Sequence, residues 1–457
     1  MRKTALLLLI IFSAGILHLS GQDKYWSLEE CINHAIDNNI MIKQQALQTQ
    51  LQENTLEQSK LGLLPSLNGT ATNNWSFGRA LDETTYQFTE EQNVRSNNFF
   101  ASAGVTLFSG LQNYNTIIKN RYNVDASFQD LQNIKDDISL NVALAYLQIL
   151  LNKELVAVTE NQLQTTREQI GKTEKMVEAG SLPRGNLLEI QAQAAREELQ
   201  LINMENQLDL SFLNIVQLLE LDSVNGFDIV VPDIVIGETG MITENVGSIY
   251  SAAKETRPEV LSAELRLKSA EYDLRIAKGG RSPRLNLNTS FSTGYSSIRQ
   301  KILGIDPVEG VQYGDYPFAD QLNDNINYGI GLTLSIPVFN GWQVNTGISN
   351  AKINIQNNLY SLENTRKQLY KNIQQAYADA QASLKSYTAS LKAVESMQES
   401  FRYTEQRFNV GMVTPVEYNT AKAQLLNAES ELAQSKYEYI FKIKVLDFYK
   451  GLPLVLN

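Results

Sequence analysis

Residues 407–424 read RFNVGMVTPVEYNTAKAQ and close a longer stretch, Phe339–Gln424, on which the fold turns. That stretch opens with a turn signal at Phe339-Asn340-Gly341. It continues through a very long helical pattern, turns again at Gly411 and starts a second helix. Phe108–Gln193 repeats it. Phe108/Phe339, Gly110/Gly341, Ala145/Ala376, Tyr146/Tyr377, Gly180/Gly411, Ala192/Ala423 and Gln193/Gln424 are each separated by 231 residues. One constant offset means a duplicated unit without internal insertions, and a duplication decides the architecture.

Inside each copy runs a seven-residue ladder. The first is Val142, Ile149, Val156, Leu163, Ile170 and Val177; the second is Ile373, Ala380, Tyr387, Val394, Phe401 and Phe408. Every rung is apolar or aromatic. A period of seven keeps one stripe facing a partner helix, the seam of a coiled coil. An ordinary core helix would be far shorter: Asn113–Ala179 has no proline and a single glycine, Gly171. At about 1.5 Å per residue such a helix approaches 100 Å.

The chain has 457 residues, 43% of them hydrophobic, and a formal net charge of −11. That balance argues against a nucleic-acid partner, because phosphate contacts need a basic face. Residues 1–21 have the pattern of a secretory signal: Arg2 and Lys3, an apolar run from Ala5 to Leu17, then small Ser20 and Gly21. No later stretch reads as a transmembrane helix. Beyond the signal remain one cysteine, Cys31, and one histidine, His34, both at structural positions on an amphipathic helix. No Cys/His cluster, Ser-His-Asp set or phosphate loop is present. The carboxylates are scattered at helix-surface spacing. The sequence therefore predicts neither an enzyme nor a cofactor.

Ser27 with Glu30 forms a capping box that opens a helix running to about Gly62, where Pro65 follows. There the periodicity changes to two. Phe99, Ala101, Ala103, Val105 and Leu107 alternate with Phe100, Ser102, Gly104 and Thr106; Leu67 to Trp75 forms a weaker strand before a polar, acidic loop. The second copy repeats the device after Pro283, with Leu285–Ser292 and Tyr328–Ile336. Pro65 and Pro283 differ by 218, so the second loop is 13 residues longer. Strands are expected near 66–77, 98–108, 284–295 and 327–338. An apolar face opposite a face of Asn, Ser, Thr and Gly matches a membrane β-barrel. Four strands cannot close one, and open edges are not tolerated in lipid. Two chains give eight strands and three give twelve. Phe108, Phe339 and Trp342 would form an aromatic girdle.

The organisation expected is a first repeat at 22–220, a belt segment at 221–245 and a second repeat at 246–457. Helical stretches 24–62 and 186–219 together match the length of 112–179. In the second copy, 246–279 and 416–450 match 342–410. Two short helices can thus stack beside one long one. Each long helix ends in a turn, Gly180-Ser181-Leu182-Pro183 or Gly411-Met412-Val413-Thr414-Pro415, with glycine at the left-handed position and proline beyond it. Exposed apolar residues at these turns suggest a partner surface.

Several signatures resemble the TolC family of outer-membrane efflux proteins. They are Trp26-Ser27-Leu28-Glu29-Glu30, Leu107-Phe108-Ser109-Gly110, Ile336-Pro337-Val338-Phe339-Asn340-Gly341, Arg257-Pro258-Glu259, and Gly411 before Glu417. The resemblance covers essentially the whole chain after the signal. It implies a mainly α fold with a membrane β part. Three chains form a homotrimer whose twelve strands build one barrel among outer-membrane lipid, and whose coiled-coil helices build a periplasmic tunnel. It implies an exit duct of a Gram-negative efflux or type I secretion system, partnered by a periplasmic adaptor and an inner-membrane transporter. The adaptor would meet the tips at Gly180, Ser181, Leu182, Gly411, Met412 and Val413. The family's tunnel is closed by acidic rings and a tyrosine–arginine lock. Here the first acidic position falls on Glu417 and the second on Thr420, which is not acidic. The tyrosine position falls on Phe408 and the arginine position on Val413. In the first copy the acidic position is Asn186. Phe408 is expected as an apolar plug. The acidic loop holding Asp306, Glu309, Asp315, Asp320 and Asp324 is expected on the exterior. A coiled-coil envelope scaffold is the alternative, but it has no need of the alternating strands.

Overall fold

The computed structural model describes residues 24–79, 81–82, 86–88, 90–232, 244–307 and 310–456. The signal at 1–21, residues 233–243 of the belt segment, and Glu309 lie outside the described residues. The duplication is exact for four pairs of helices and for the first strand of each hairpin. Helices α1 (Leu28–Asn38) and α2 (Ile40–Leu61) recur as α5 (Val246–Thr256) and α6 (Pro258–Gly279) at the 218-residue offset. Strand β2 (Ser66–Gly78) recurs as β7 (Arg284–Ser296) at the same offset. Helices α3 (Gln112–Glu178) and α4 (Arg184–Leu218) recur as α8 (Gln343–Asn409) and α9 (Pro415–Tyr449) at the 231-residue offset. The shorter loop of the first copy holds the strands β3 (Leu81–Asp82) and β4 (Gln87–Phe88), and the longer loop of the second holds the hairpin β8 (Lys301–Asp306) and β9 (Gly310–Gly314) and the short helix α7 (Phe318–Asp324).

The continuous helices expected over 24–62 and 246–279 are each broken. Asn39 and Arg257 take extended ψ values of 130° and 126°. Pro258 then starts α6, at the one helical position where a missing N–H costs nothing. Arg257 is buried, with Nη1 3.1 Å from Asp136 Oδ2 and its guanidinium carbon 4.1 Å from the Phe448 ring centroid. Burial raises the Asp136 carboxyl above its ordinary value, against the pull of Arg257. The first element is also not wholly helical. Lys24–Trp26 is a strand, β1, parallel to β6 (Phe227–Ile229).

The chain divides into two compact units. Unit 1 comprises Met1–Gln48, Phe128–Ser262 and Glu363–Asn457. Its core gathers Cys31, Ala35, Val142, Ala145, Tyr146, Ile149, Leu150, Ile215 and Ile229, with Tyr437 and Ile440 from α9. The first two rungs of each ladder, Val142, Ile149, Ile373 and Ala380, are fully buried. The Tyr146 hydroxyl donates to Val230 O at 2.6 Å, tying α3 to the end of the small sheet. His34 lies edge-on to Trp26 at 5.2 Å. Contrary to the expectation that no stretch after the signal is apolar enough to cross a membrane, α3 contains an 18-residue window that is so by composition. Half of that window is buried inside the protein, as a core helix requires.

Unit 2 comprises Thr49–Ser127 and Ala263–Leu362. It holds a four-stranded antiparallel sheet in the order β10-β7-β5-β2, with β5 spanning Gln92–Phe108 and β10 spanning Asn327–Ser335. β5 starts earlier than 98, because β2 extends to Gly78 and pairs with it from Gln92 onward. β10 stops before 338, because Pro337 has no N–H to give to a ladder. Registers put the apolar residues on one face: Leu67, Ala103, Thr289 and Ile330 in one cross-strand row, Val105, Leu287 and Leu332 in the next. The other face is Ser66, Gly104, Asn288 and Gly331, then Asn68, Ser102, Ser290 and Gly329. Two hollows, about 650 and 610 Å³, are lined largely by this polar face, and Phe99, Thr293 and Tyr295 also border the first. The opposite face exposes Leu67, Phe77, Tyr328, Ile330 and Leu332. Two left-handed residues in succession, Gly110-Leu111 and Gly341-Trp342, turn each copy from the strand region into its long helix. At Gly110 a Cβ would sit 2.4 Å from Gly279 O, so the α6 terminus admits only glycine there. Phe339 and Trp342 are exposed near this corner, and Phe108 is less so.

Candidate functional site

Both hairpin tips belong to unit 1. The long helices end identically: Gly180 N–H donates to Val177 O and Ser181 N–H to Met176 O, as Gly411 N–H does to Phe408 O and Met412 N–H to Arg407 O. This double closure is the Schellman motif, and it needs the left-handed glycines at φ 74° and 76°. The helices that follow begin differently. Thr414 caps α9 in a capping box: Glu417 N–H donates to Thr414 Oγ1 at 3.3 Å, and Thr414 N–H to Glu417 Oε2 at 2.9 Å. Pro183 begins α4 with no side-chain cap.

The structure therefore occupies the Glu417 carboxylate at the helix start, where it also favours the helix dipole. Its side chain remains exposed, as does that of Thr420, whose hydroxyl donates to Val416 O at 2.8 Å. At the tips Gly180, Ser181, Gly411 and Met412 are exposed; Leu182 and Val413 are half-buried. Val410 and Val416 are also exposed.

Phe408 does not line an opening. Its ring is buried, 4.7 Å from the Tyr418 ring, in a cluster with Ile190 that Phe401, Ile170 and Val413 flank. Too little of its surface is free to serve as a plug. Val413, at the position of the missing arginine, packs against the same cluster. The cluster joins α4, α8 and α9 and sets how the two hairpins pack near their tips. The Tyr418 hydroxyl is buried among the described residues with no hydrogen-bond partner, and burial pushes its pKa up.

One turn further along α9 lies a group that sequence reasoning missed. Lys422 and Glu197 are almost fully buried, an ion pair at 3.6 Å. Lys422 Nζ donates to Gln162 O at 2.8 Å and to the Thr166 hydroxyl, which in turn bonds Glu197 Oε2. Gln193 Nε2 donates to Glu197 Oε1 at 2.9 Å. Helices α3, α4 and α9 are thus bound through one charged knot. Burial holds the Lys422 ammonium below its ordinary proton affinity, and Glu197 pulls the other way. The signal was present: Lys422 lies at helical spacing from Tyr418, Leu425 and Leu426, on the stripe that α9 buries. Among the described residues no cluster of His, Cys, Asp and Glu could hold a metal ion.

The profile of the family described as "Outer membrane efflux protein" matches residues 31–220 and 249–443. The outer membrane protein TolC of Escherichia coli K12 is 23% identical over 317 residues, 69% of this chain and 62% of that protein's length. TolC of Vibrio cholerae is 22% identical over 96% of this chain and 93% of its own. Among solved structures, CusC superposes with a TM-score of 0.77 over 96% of both chains at 17% identity, a likeness of fold.

Proposed function

Because this chain belongs to the outer membrane efflux protein family, we propose that it is the exit duct of a tripartite efflux or type I secretion system. It conducts substrates passively from a periplasmic adaptor and an inner-membrane transporter to the exterior. The observation that carries this reading is the sheet of unit 2. Its strands alternate in direction, β2 and β10 are left with unpaired edges, and the face holding Leu67, Tyr328, Ile330 and Leu332 is apolar and exposed. Open edges are not tolerated in lipid, and membrane barrels need at least about eight strands. Because the strand number is even, β10 of one copy runs antiparallel to β2 of the next, so any number of copies can close. Three copies close twelve strands around the polar face, which then becomes the lumen. That lumen carries no carboxylate on the four strands, and its one cation, Arg284, stands at a strand end. A scaffold of coiled coils would leave this sheet without a purpose.

The hairpin tips, with exposed Met412 and Val410 beside Gly411, are the surface offered to the adaptor. Glu417, in three copies, forms an acidic ring near the tunnel mouth, since three carboxylates at one level favour cations. The test is mass measurement of the purified protein in detergent, together with planar-bilayer recording. About three times the mass of the chain without residues 1–21, and ion-conducting steps, are expected. A stable monomer that inserts in membranes, or a trimer that conducts nothing, overturns the reading.

A further inference from the structure

The polar face of the sheet is interrupted at one point between Ser96 and Thr106 of β5. Between Ser96 and Thr106 on β5, and along the polar positions of β2, β7 and β10, the side chains are Ser, Thr, Asn and Gly, with Arg284 at one end and Phe100 near the middle. Phe100 pairs across to Thr70 on one side and Ser292 on the other, both too small to cover it. Its side chain is 45% exposed. It borders both hollows: Ser96, Asn98 and Gly294 line one beside it, Ser102, Ser290 and Gly331 the other. Phe100 is therefore a ridge between two wetted depressions. Its neighbour Phe99 falls by register on the opposite, apolar face, although it too borders the first hollow.

A phenyl ring standing in water on a face of small polar residues contributes nothing to packing there. Any of the surrounding residue types would serve the strand equally well. What the ring offers is an uncommitted π-face and edge. Aromatic pairs gain from offset or edge-on contact beyond the area that they bury, and a cation gains over the ring face. We propose that Phe100 is a solute-binding residue of the barrel lumen, a contact for the aromatic part of a transiting molecule. This rests on the duct reading, in which the polar face is the lumen. With three copies at one level, three rings surround the path, and a solute that carries an aromatic group dwells there longer than an aliphatic one of equal charge and size.

The experiment records the full-length protein in planar bilayers with a blocking cation added on the barrel side, so that the solute meets Phe100 before the helical tunnel. Tetraphenylphosphonium is compared with tetrabutylammonium. Both are monovalent cations, so charge along the path acts on each alike. The quantity read is the ratio of their block dwell times. Phe100→Ser and Phe100→Leu should each lower that ratio about two- to tenfold, the range that a ring–ring contact commands. Phe100→Tyr should keep it, and Phe99→Leu, on the lipid face, should leave it alone. An unchanged ratio in both Phe100→Ser and Phe100→Leu overturns the inference, as does an equal fall in Phe99→Leu. If the unsubstituted protein passes no current at all, the duct reading itself has failed.

Discussion

The hairpin tip at Gly180 and the hairpin tip at Gly411 share their backbone residue for residue and share little of the side-chain chemistry around it. Their glycines take the same left-handed conformation, their helices close with the same pair of hydrogen bonds, and the next helices start three residues after Gly180-Ser181 and Gly411-Met412 alike. Yet Thr414 and Glu417 form a capping box where Pro183 and Asn186 form none. Lys422 corresponds to Gln191, and Glu197 to Ala428, so each charge of the buried pair stands alone in its own copy. Duplication preserved what the main chain cannot do without, a residue free to adopt positive φ. Groups that pack one copy against the other were free to diverge, because only their sum had to remain satisfied.

The largest test of this comparison removes one half of the pair. Lys422→Ala or Glu197→Ala leaves an uncompensated charge in the interior and should cost about 3–5 kcal/mol. The fall in the urea midpoint of the detergent-solubilised protein measures it. Replacing both, Lys422→Met with Glu197→Leu, should recover most of the loss, since well-packed apolar groups do as well as a buried ion pair. If either single substitution costs less than about 1 kcal/mol, the knot does not bind the helices. The pH dependence has a definite sign. Burial lowers the Lys422 proton affinity in the folded chain below the ordinary value of 10.5. Between the lowered value and 10.5 the unfolded chain binds more protons, so stability rises with pH there. Relative to Lys422→Met, the unsubstituted protein should therefore gain stability as the pH climbs towards 10.5.

The knot also marks the limit of what the chain discloses before it folds. The ladder from Val142 to Phe408 and the turns at Gly180 and Gly411 were legible, because period, glycine and proline act locally. The strands were legible where their faces differ, as at Phe99–Thr106. They were not at Gln92–Asn97, where both faces are largely polar and only the pairing to β2 reveals the strand. The break at Arg257 was legible in Pro258, which forces the residue before it out of helical ψ; the break at Asn39 has no proline to announce it. Phe408 was read by position alone; its burial against Tyr418 comes from another helix. Lys422 betrays itself by its place on the buried stripe of α9, but its partner Glu197 looks like a surface charge until Thr166 brings the two together.

A smaller effect sharpens the contrast at the helix starts. Thr414→Ala should cost about 1 kcal/mol, the usual value of a lost N-cap. It also separates two roles of Glu417. Glu417→Ala removes both the reciprocal half of the capping box and, in the proposed trimer, three negative charges near the axis. Thr414→Ala disturbs the box and leaves those charges. In planar bilayers with a salt gradient, Glu417→Ala should shift the reversal potential away from cation preference, and Thr414→Ala should not. If the two variants behave alike, Glu417 is a helix-start residue and the selectivity lies elsewhere.

The smallest effect compares the far ends of α4 and α9. Both helices are followed by a left-handed residue, Glu220 at φ 56° in the first copy and Gly451 at φ 77° in the second. A residue with a Cβ loses roughly 1–2 kcal/mol in that conformation, whereas glycine loses none. Glu220→Gly should therefore stabilise the first copy towards the second. Two terms oppose it. The added freedom of the unfolded chain takes back about 0.4–1 kcal/mol. The Glu220 carboxylate also accepts from Ile40 N–H, but at 3.4 Å and in an exposed position, so its loss is minor. The balance favours glycine by about 0.5 kcal/mol, a small upward shift of the thermal midpoint in a scanning measurement. A downward shift would mean that the contact from Glu220 to the start of α2 outweighs the backbone strain, and that this copy kept a side chain at its helix end for the sake of the neighbouring helix.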